Sequence, residues 1–216
     1  MTNRLKIKYL VVGAWCLASA CGGKKSSQTP APVPTAPLPT AGIAGQRVAL
    51  TPLALVAAED SLHWETLLAD RRATLDKCDS ILGTLLAARA PEVTWAGPAE
   101  LRRIARRAPG IVTDPDQMGT PLLRATNIVD VPDPLRSQVR TLMGLVGGRY
   151  ALVPAALVFR RTVGQMDGRT ATAELAIVLI DSRVGRVGWR TTARGEGDDP
   201  WTALTRAVKN LTPGVP

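Results

Sequence analysis

Hydrophobic positions recur with two different periods between residues 46 and 213, and the two periods alternate along the chain. Apolar residues spaced three and four apart predict amphipathic helices over 74–89, 98–108, 134–146 and 200–211. Alternating or unbroken apolar runs predict strands over 47–55, 93–95, 150–159, 174–180 and 187–194. We therefore expect an α/β domain: a three-layer-like mixed sheet of about four to five strands flanked by about four helices, with a C-terminal β-hairpin followed by a closing helix.

Individual residues refine these elements. Asp133-Pro134 and Asp199-Pro200 each supply a capping carboxylate followed by a proline suited to a first helical turn. The segment 174–180 is apolar on both faces, which predicts a central strand covered on both sides. Pro52 predicts a bulge or an edge in the first strand, and Pro154 is expected to interrupt the strand over 150–159.

The first 20 residues are typical of a secretion signal. Three basic residues within 1–8 precede an apolar run over 9–20, which is too short to span a hydrocarbon core of roughly 30 Å as a helix. The segment Leu17-Ala-Ser-Ala-Cys21 then resembles the lipobox of bacterial lipoproteins, with Ala18 where Leu is usual. We predict a signal peptide over 1–20 and lipidation of Cys21. Because Ala18-Ser-Ala20 also fits ordinary signal-peptidase cleavage, a soluble periplasmic protein is the alternative.

A Pro-rich tether follows Cys21, so residues 21–45 join the anchor to a domain over 46–213. Five prolines lie between Gly22 and Gly45, and large apolar side chains are almost absent there. Such a composition favours extended polyproline II at about 3.1 Å per residue, which gives a reach of roughly 70 Å at full extension. The tether is either a passive spacer or a docking segment for a partner. Two or more acyl chains on Cys21 form a durable membrane anchor.

The formal charge of +9 falls to +6 once the three basic residues of the signal peptide are removed. A basic domain favours anionic neighbours such as phospholipid headgroups, cell-wall polymers and acidic protein surfaces. Nucleic acid fits the charge alone, but it conflicts with an export signal and with the shortage of aromatic residues for base stacking. We expect the protein to contact a membrane through its lipid anchor and to bind another protein of the envelope. We expect no nucleic-acid partner. A homo-oligomer is left open.

Two sets of arginines form candidate partner-binding surfaces. In the helix over 98–108, the apolar stripe that includes Leu101 and Ala105 predicts that the arginines face outward. In the last strand, arginines at alternate positions are expected on one face. Each set fits either a solvated face or a docking surface for phosphate or carboxylate groups. The candidate residues are Arg102, Arg103, Arg106, Arg107, Arg186, Arg190 and Arg194.

Catalytic and metal-binding patterns are not evident in the sequence. His63 is the sole histidine, and no G-x-S-x-G or P-loop motif is present. Asp114, Asp116 and Asp130 do not have the spacing of a calcium loop. Cys78 lies on the apolar face of its helix, so we expect a buried, inert thiol. We expect no catalytic residue, no metal and no cofactor, with an envelope hydrolase or transferase as the alternative.

Segments of the C-terminal half resemble a known group of lipoproteins. Gly147-Gly-Arg-Tyr-Ala-Leu-Val153 is similar to the Gly-Ala-Asp-Tyr-Val-Leu-x-Gly strand of the curli-assembly and penicillin-binding-protein-activator lipoproteins, whose fold is shared by the N-terminal domain of the Tol-Pal translocation protein. Leu179-Ile-Asp-Ser-Arg-Val-Gly-Arg-Val-Gly-Trp189 resembles their Leu-x-Asp-x-x-Thr-Gly-x-Val-x-Trp hairpin. Arg149 stands where that group has Asp, and Val184 where it has Thr.

The resemblance implies a non-catalytic, protein-binding or assembly module of an envelope complex in secretion or cell-wall synthesis. It also implies a lipid-anchored protein at the outer membrane that faces the periplasm. It carries no catalytic residue over to this chain.

Overall fold

The computed structural model describes residues 42–162 and 170–211, so the signal peptide, Cys21 and most of the tether lie outside the described residues. The strands are β1 (Arg47–Leu50), β2 (Val56–Ala58), β3 (Thr94–Ala96), β4 (Tyr150–Arg161), β5 (Ala171–Asp181) and β6 (Arg186–Gly197). The helices are α1 (Arg71–Arg89), α2 (Pro98–Arg107), α3 (Leu135–Val146) and α4 (Pro200–Lys209). No helix in the described ranges is long and apolar enough to cross a membrane.

The strands form one mixed sheet in the order β3-β1-β4-β5-β6. β1 is parallel to both β3 and β4, and it pairs with the beginning of β4. β2 lies on the same side of β4 and pairs with residues 157–159. β4, β5 and β6 are antiparallel neighbours. The predicted α/β class, the mixed sheet, the C-terminal hairpin and the closing helix are therefore confirmed.

Apolar cores lie on both faces of the sheet, which gives the molecule three layers. α1 and α4 cover one face, where Leu82 and Leu204 are fully buried. α2 and α3 cover the other face, where Leu101 and Leu142 are buried. Because β4 and β5 contribute side chains to both cores, residues 177–180 are buried on both faces of the sheet, whereas Glu174 and Ala176 are partly exposed.

Two prolines modify the strands differently from the sequence-based expectation. Pro52 follows the end of β1, and pairing to β4 resumes only at Val56, so the single strand predicted over 47–55 is wrong and two short strands form. Proline cannot donate a ladder hydrogen bond, which explains the break. Pro154 does not interrupt its strand: β4 continues through it, with a bulge between Pro154 and Ala156.

Candidate functional site

The outer face of α2 carries three of the arginines singled out by the sequence. The helix begins at Pro98 and buries Leu101 and Ala105 against the sheet. Arg103, Arg106 and Arg107 are exposed on the opposite side. The nearest carboxylate to this row is Glu100, 3.9 Å from Arg103. These guanidinium groups are therefore accessible to a partner.

Arg102 does not belong to that exposed face, and the expectation that all four arginines of α2 face solvent is wrong for this residue. Only 13% of its side chain is exposed. Its guanidinium lies 2.8 Å from Asp79, 2.7 Å from Asp116 and 3.4 Å from Asp76. The reason is geometric: residue 102 lies next to the buried stripe and faces α1, which supplies two of the three carboxylates. Arg102 cross-links α1, α2 and the loop after α2.

The carboxylates of this cluster have shifted proton affinities. Burial raises the pKa of Asp79 to about 6, against the opposing effect of hydrogen bonds from the Leu53 N–H and Arg102. Hydrogen bonds from Arg102 and, to a lesser extent, Arg72 hold the pKa of Asp116 below its ordinary value. Arg102 and the three carboxylates are hydrogen-bonded or paired with one another. The cluster therefore stabilises the packing of α1, α2 and the loop after α2.

The arginines of β6 do not share one face. A register shift opposite Leu179 and Ile180 places an extra residue, Gly188, in β6. Val187 packs towards α2 and α3, whereas Trp189 packs towards α1 and α4. The bulge reverses the alternation, so Arg186 faces the side opposite to Arg190. The predicted single row of three arginines is therefore wrong.

Each arginine of β6 also has an internal partner. Arg190 donates to the backbone carbonyls of Ala125 and Ile128 and so fixes the loop between α2 and α3. Arg186 pairs with Asp130 at 3.1 Å, and Arg194 pairs with Glu174 at 3.0 Å. Both of these pairs lie at the surface, where ion pairs stabilise a fold little and exchange partners readily.

The two arginine sets lie apart. α2 packs on β1 and α3, while β6 is the edge strand on the far side of β4 and β5. Three strand spacings correspond to roughly 14 Å across the sheet. The exposed arginines of α2 and the arginines of β6 therefore do not form one continuous surface.

A basic cleft that the sequence analysis missed lies at one end of the sheet. It has a volume of about 790 Å³, and its lining includes Arg47, Arg140, Arg149 and Arg183. These residues come from β1, α3, the start of β4 and the β5–β6 turn, so no spacing along the sequence unites them. The one usable signal was Arg149, which departs from the pattern of the similar lipoproteins.

Arg149 is held by Asp181 in this cleft. Its Nε donates to the Asp181 carboxylate over 2.8 Å. Burial tends to raise the pKa of Asp181, but hydrogen bonds from Arg149 and the Arg183 N–H together bring it below its ordinary value. This pair links the start of β4 to the end of β5. Arg140 and Arg183 are the arginines of the cleft that have no carboxylate partner among the described residues.

The remaining reactive residues have structural surroundings. Cys78 is fully buried in α1, as its position on the apolar face predicts, and burial raises the pKa of its thiol to about 12. His63 is exposed after a short 3-10 turn. Asp114 caps another 3-10 turn, through its bond to the Asp116 N–H. Within the described residues, no group of three or more His, Cys, Asp or Glu side chains could hold a metal ion.

No protein-family model matches this chain, and no curated protein matches it. It is similar to the solved C-terminal domain of LpoB from Salmonella enterica, at 16% identity over 70% of this chain and 83% of that chain, with a TM-score of 0.37. The PelC dodecamer from Paraburkholderia phytofirmans is similar at 19% identity over 77% and 89% of the two chains, with a TM-score of 0.34. Lipoprotein GNA1162 from Neisseria meningitidis is similar at 15% identity over 69% and 78%, with a TM-score of 0.31. LpoB and another lipoprotein are thus among its structural neighbours, at identities too low to place the chain in a family or to assign it an activity or a partner.

Proposed function

We propose that this protein is a lipid-anchored lipoprotein of the bacterial cell envelope that binds other proteins and helps to assemble an envelope complex without catalysing a reaction. The observation that carries the binding role is the row of Arg103, Arg106 and Arg107 on α2. These side chains are exposed, and the one ion pair they form among the described residues joins Arg103 to Glu100 over 3.9 Å. Adjacent guanidinium groups repel one another, and an acidic protein surface relieves this repulsion. Such charge complementarity increases the specificity and the rate of binding.

The location follows from the predicted lipid on Cys21. A diacylated cysteine holds the chain at a membrane, and the Pro-rich tether lets the domain work at a distance from it. We place the protein at the outer membrane, facing the periplasm, where the partner is a component of secretion or cell-wall synthesis. The resemblance of segments around Tyr150 and Trp189 to lipoproteins with such partners supports this placement.

The surroundings of the ionisable residues support binding over hydrolysis or group transfer. The carboxylates that the fold gathers, Asp76, Asp79 and Asp116, are engaged by Arg102. His63 is exposed and follows a short 3-10 turn, and it does not line the neighbouring cleft that Glu59, Asp60 and Glu65 line. General acid–base chemistry needs a group directed at a substrate, and the three clustered carboxylates are directed at Arg102 instead.

Cell fractionation of wild type and Cys21→Ala tests the anchor. We expect the wild-type chain to incorporate labelled palmitate and to remain with membranes after a high-salt wash, because several buried methylenes resist salt. We expect the Cys21→Ala chain to lose the label and to leave the membrane fraction. Release of both chains from the membrane fraction, without label in either, would show that the anchor is wrong and would favour ordinary signal-peptidase cleavage.

Charge reversal on α2 tests the binding role. We expect Arg106→Glu with Arg107→Glu to lower the yield of specific crosslinks in intact envelopes about tenfold, which corresponds to about 1.4 kcal/mol. Mass spectrometry then identifies the crosslinked proteins. The matched control is Arg124→Glu with Lys209→Glu, since both residues are exposed and lie outside α2. Equal crosslinking in the two double variants would contradict α2 as the docking surface.

A further inference from the structure

The basic cleft lies at the end of the sheet where the tether joins the domain. The first residues of β1 and β4 and the last residues of the antiparallel β5 meet at this end. Gln46 lines the cleft, and its side-chain amide donates to the carbonyl of Gly42 over 3.3 Å. Gly42 lies near the end of the predicted tether, five residues before β1, so the chain enters the domain beside the cleft. If Cys21 is held in a membrane, this end of the domain is the part that follows the anchor and tether most closely along the chain.

The cleft carries an excess of positive charge. Arg47 pairs with Glu100 and Arg149 with Asp181, which neutralises two of its four arginines. Arg140 donates to the backbone carbonyl of Arg183 over 2.9 Å, and the Arg183 side chain has no ion pair or hydrogen bond among the described residues. Two arginine side chains of the cleft, Arg140 and Arg183, are thus without a carboxylate partner among the described residues, which favours an anionic ligand.

An exposed apolar side chain follows a residue that lines the same cleft. Val184 is 51% exposed and follows Arg183 at the tip of the β5–β6 turn. Large apolar side chains beside basic ones are the composition of surfaces that lie in the headgroup region of a bilayer, where the apolar groups enter the acyl boundary and the cations meet phosphates.

We propose that this end of the domain docks onto anionic phospholipid headgroups of the membrane that anchors the chain. Arg140 and Arg183 contact the phosphates, while Val184 enters the headgroup region. This inference rests on the proposed lipid anchor. Docking folds the tether back against the membrane, and release lets the domain extend up to roughly 70 Å from it. The anionic lipid content of the membrane then sets the fraction of molecules free to reach a distant partner.

Energy transfer in reconstituted vesicles tests the proposal. The full lipidated chain is inserted into vesicles of phosphatidylcholine alone or mixed with phosphatidylglycerol, each with a dansyl-labelled lipid that accepts energy from the tryptophans. We expect more transfer in the phosphatidylglycerol vesicles, and a return to the phosphatidylcholine value at about 1 M salt, where the Debye length is about 3 Å. Equal transfer in both kinds of vesicle would overturn the proposal.

Variants locate the surface. Each guanidinium near an anionic membrane contributes roughly fivefold to docking, so we expect Arg140→Gln with Arg183→Gln to lower the docking equilibrium about 30-fold. Arg183→Gln alone, which removes no internal hydrogen bond, is expected to lower it about fivefold and guards against a folding defect. The control Arg124→Gln with Lys209→Gln should dock like wild type. An equal loss in the control would overturn the assignment to the cleft.

The remaining outcomes separate this inference from the lipid anchor. If the chain lacks a lipid, flotation still measures docking: wild type that floats with phosphatidylglycerol vesicles but not with phosphatidylcholine vesicles supports the surface. Wild type that floats with neither overturns it. Binding of a poly-glutamate peptide that is lost in Arg183→Gln, together with transfer insensitive to phosphatidylglycerol, would overturn membrane docking in favour of an acidic protein partner.

Discussion

Among single residues, Asp79 is subject to opposing electrostatic effects that make stability depend on pH. Its carboxylate is engaged by Arg102 and the Leu53 N–H, yet burial raises its pKa from 3.8 to about 6. The folded state then binds this proton more tightly than the unfolded chain does. The contribution of Asp79 to the free energy of unfolding is therefore fully present below the unfolded pKa and is lost as the pH rises through about 6.

Urea denaturation at several pH values measures this effect. We expect the unfolding free energy of wild type minus that of Asp79→Asn to fall by on the order of 2 kcal/mol between pH 4 and pH 6.5, because each pKa unit corresponds to about 1.4 kcal/mol. Hydrogen bonds from Arg102 and Arg72 hold the pKa of Asp116 below its ordinary value, so this carboxylate titrates below the window in the folded wild type. A difference that does not vary with pH would contradict the raised pKa.

Residue-level predictions succeeded where the local pattern decides the outcome. The burial of Cys78 and the capping role of Asp199, which accepts from the Trp201 and Thr202 N–H groups, follow from neighbours in the same helix. The role of Arg102 depends on carboxylates that lie 14 to 26 positions away in the sequence, and a helical period carries no information about them. Sequence patterns place a side chain on a face but do not identify its partner.

Among the elements, β6 and α4 approach each other more closely than side chains allow. A Cβ on Gly195 would lie 2.6 Å from the Ala203 carbonyl and closer still to the Ala207 N–H. We expect Gly195→Ala to destabilise the domain by roughly 2–3 kcal/mol, since α4 must move away from the sheet. Thermal unfolding with Gly188→Ala as the control measures this, because a Cβ at Gly188 meets only Leu179, at 3.6 Å from its carbonyl oxygen. Similar melting temperatures for the two variants would show that α4 adjusts without cost.

Element types and approximate bounds followed from the hydrophobic periods, but strand irregularities did not. The helix predicted over 98–108 is α2, and the run over 174–180 lies in β5, an interior strand between β4 and β6. The bulge at Gly188 could not be predicted from the sequence. Val187 and Trp189 show the alternation of a regular strand, and this pattern does not reveal that an extra residue lies between them. One inserted residue changes the face of every side chain before it, and so the predicted arginine row of β6 was lost.

For the whole molecule, the class and the layers were predictable and the strand order was not. Helical and strand periods that alternate along the chain imply helices packed on a sheet. The pairing of β4 with β1, β2 and β5 brings together segments that are far apart in the sequence, and the basic cleft at the sheet end is a product of that order. A site assembled from Arg47, Arg140, Arg149 and Arg183 exists only once the topology is known.

The shared central strands predict that the two cores unfold as one unit. Leu82 on α1 and Leu142 on α3 are buried on opposite faces of the sheet, and both cores depend on β4 and β5. We expect Leu82→Ala and Leu142→Ala each to lower the unfolding free energy by about 2–4 kcal/mol, because each leaves a cavity. The double variant should lose the sum of the two, since the sites share no direct contact. Urea unfolding followed by tryptophan fluorescence and by circular dichroism should give one coincident transition for each single variant. Two separated transitions would mean that the layers are independent, and β4 and β5 would then not couple them.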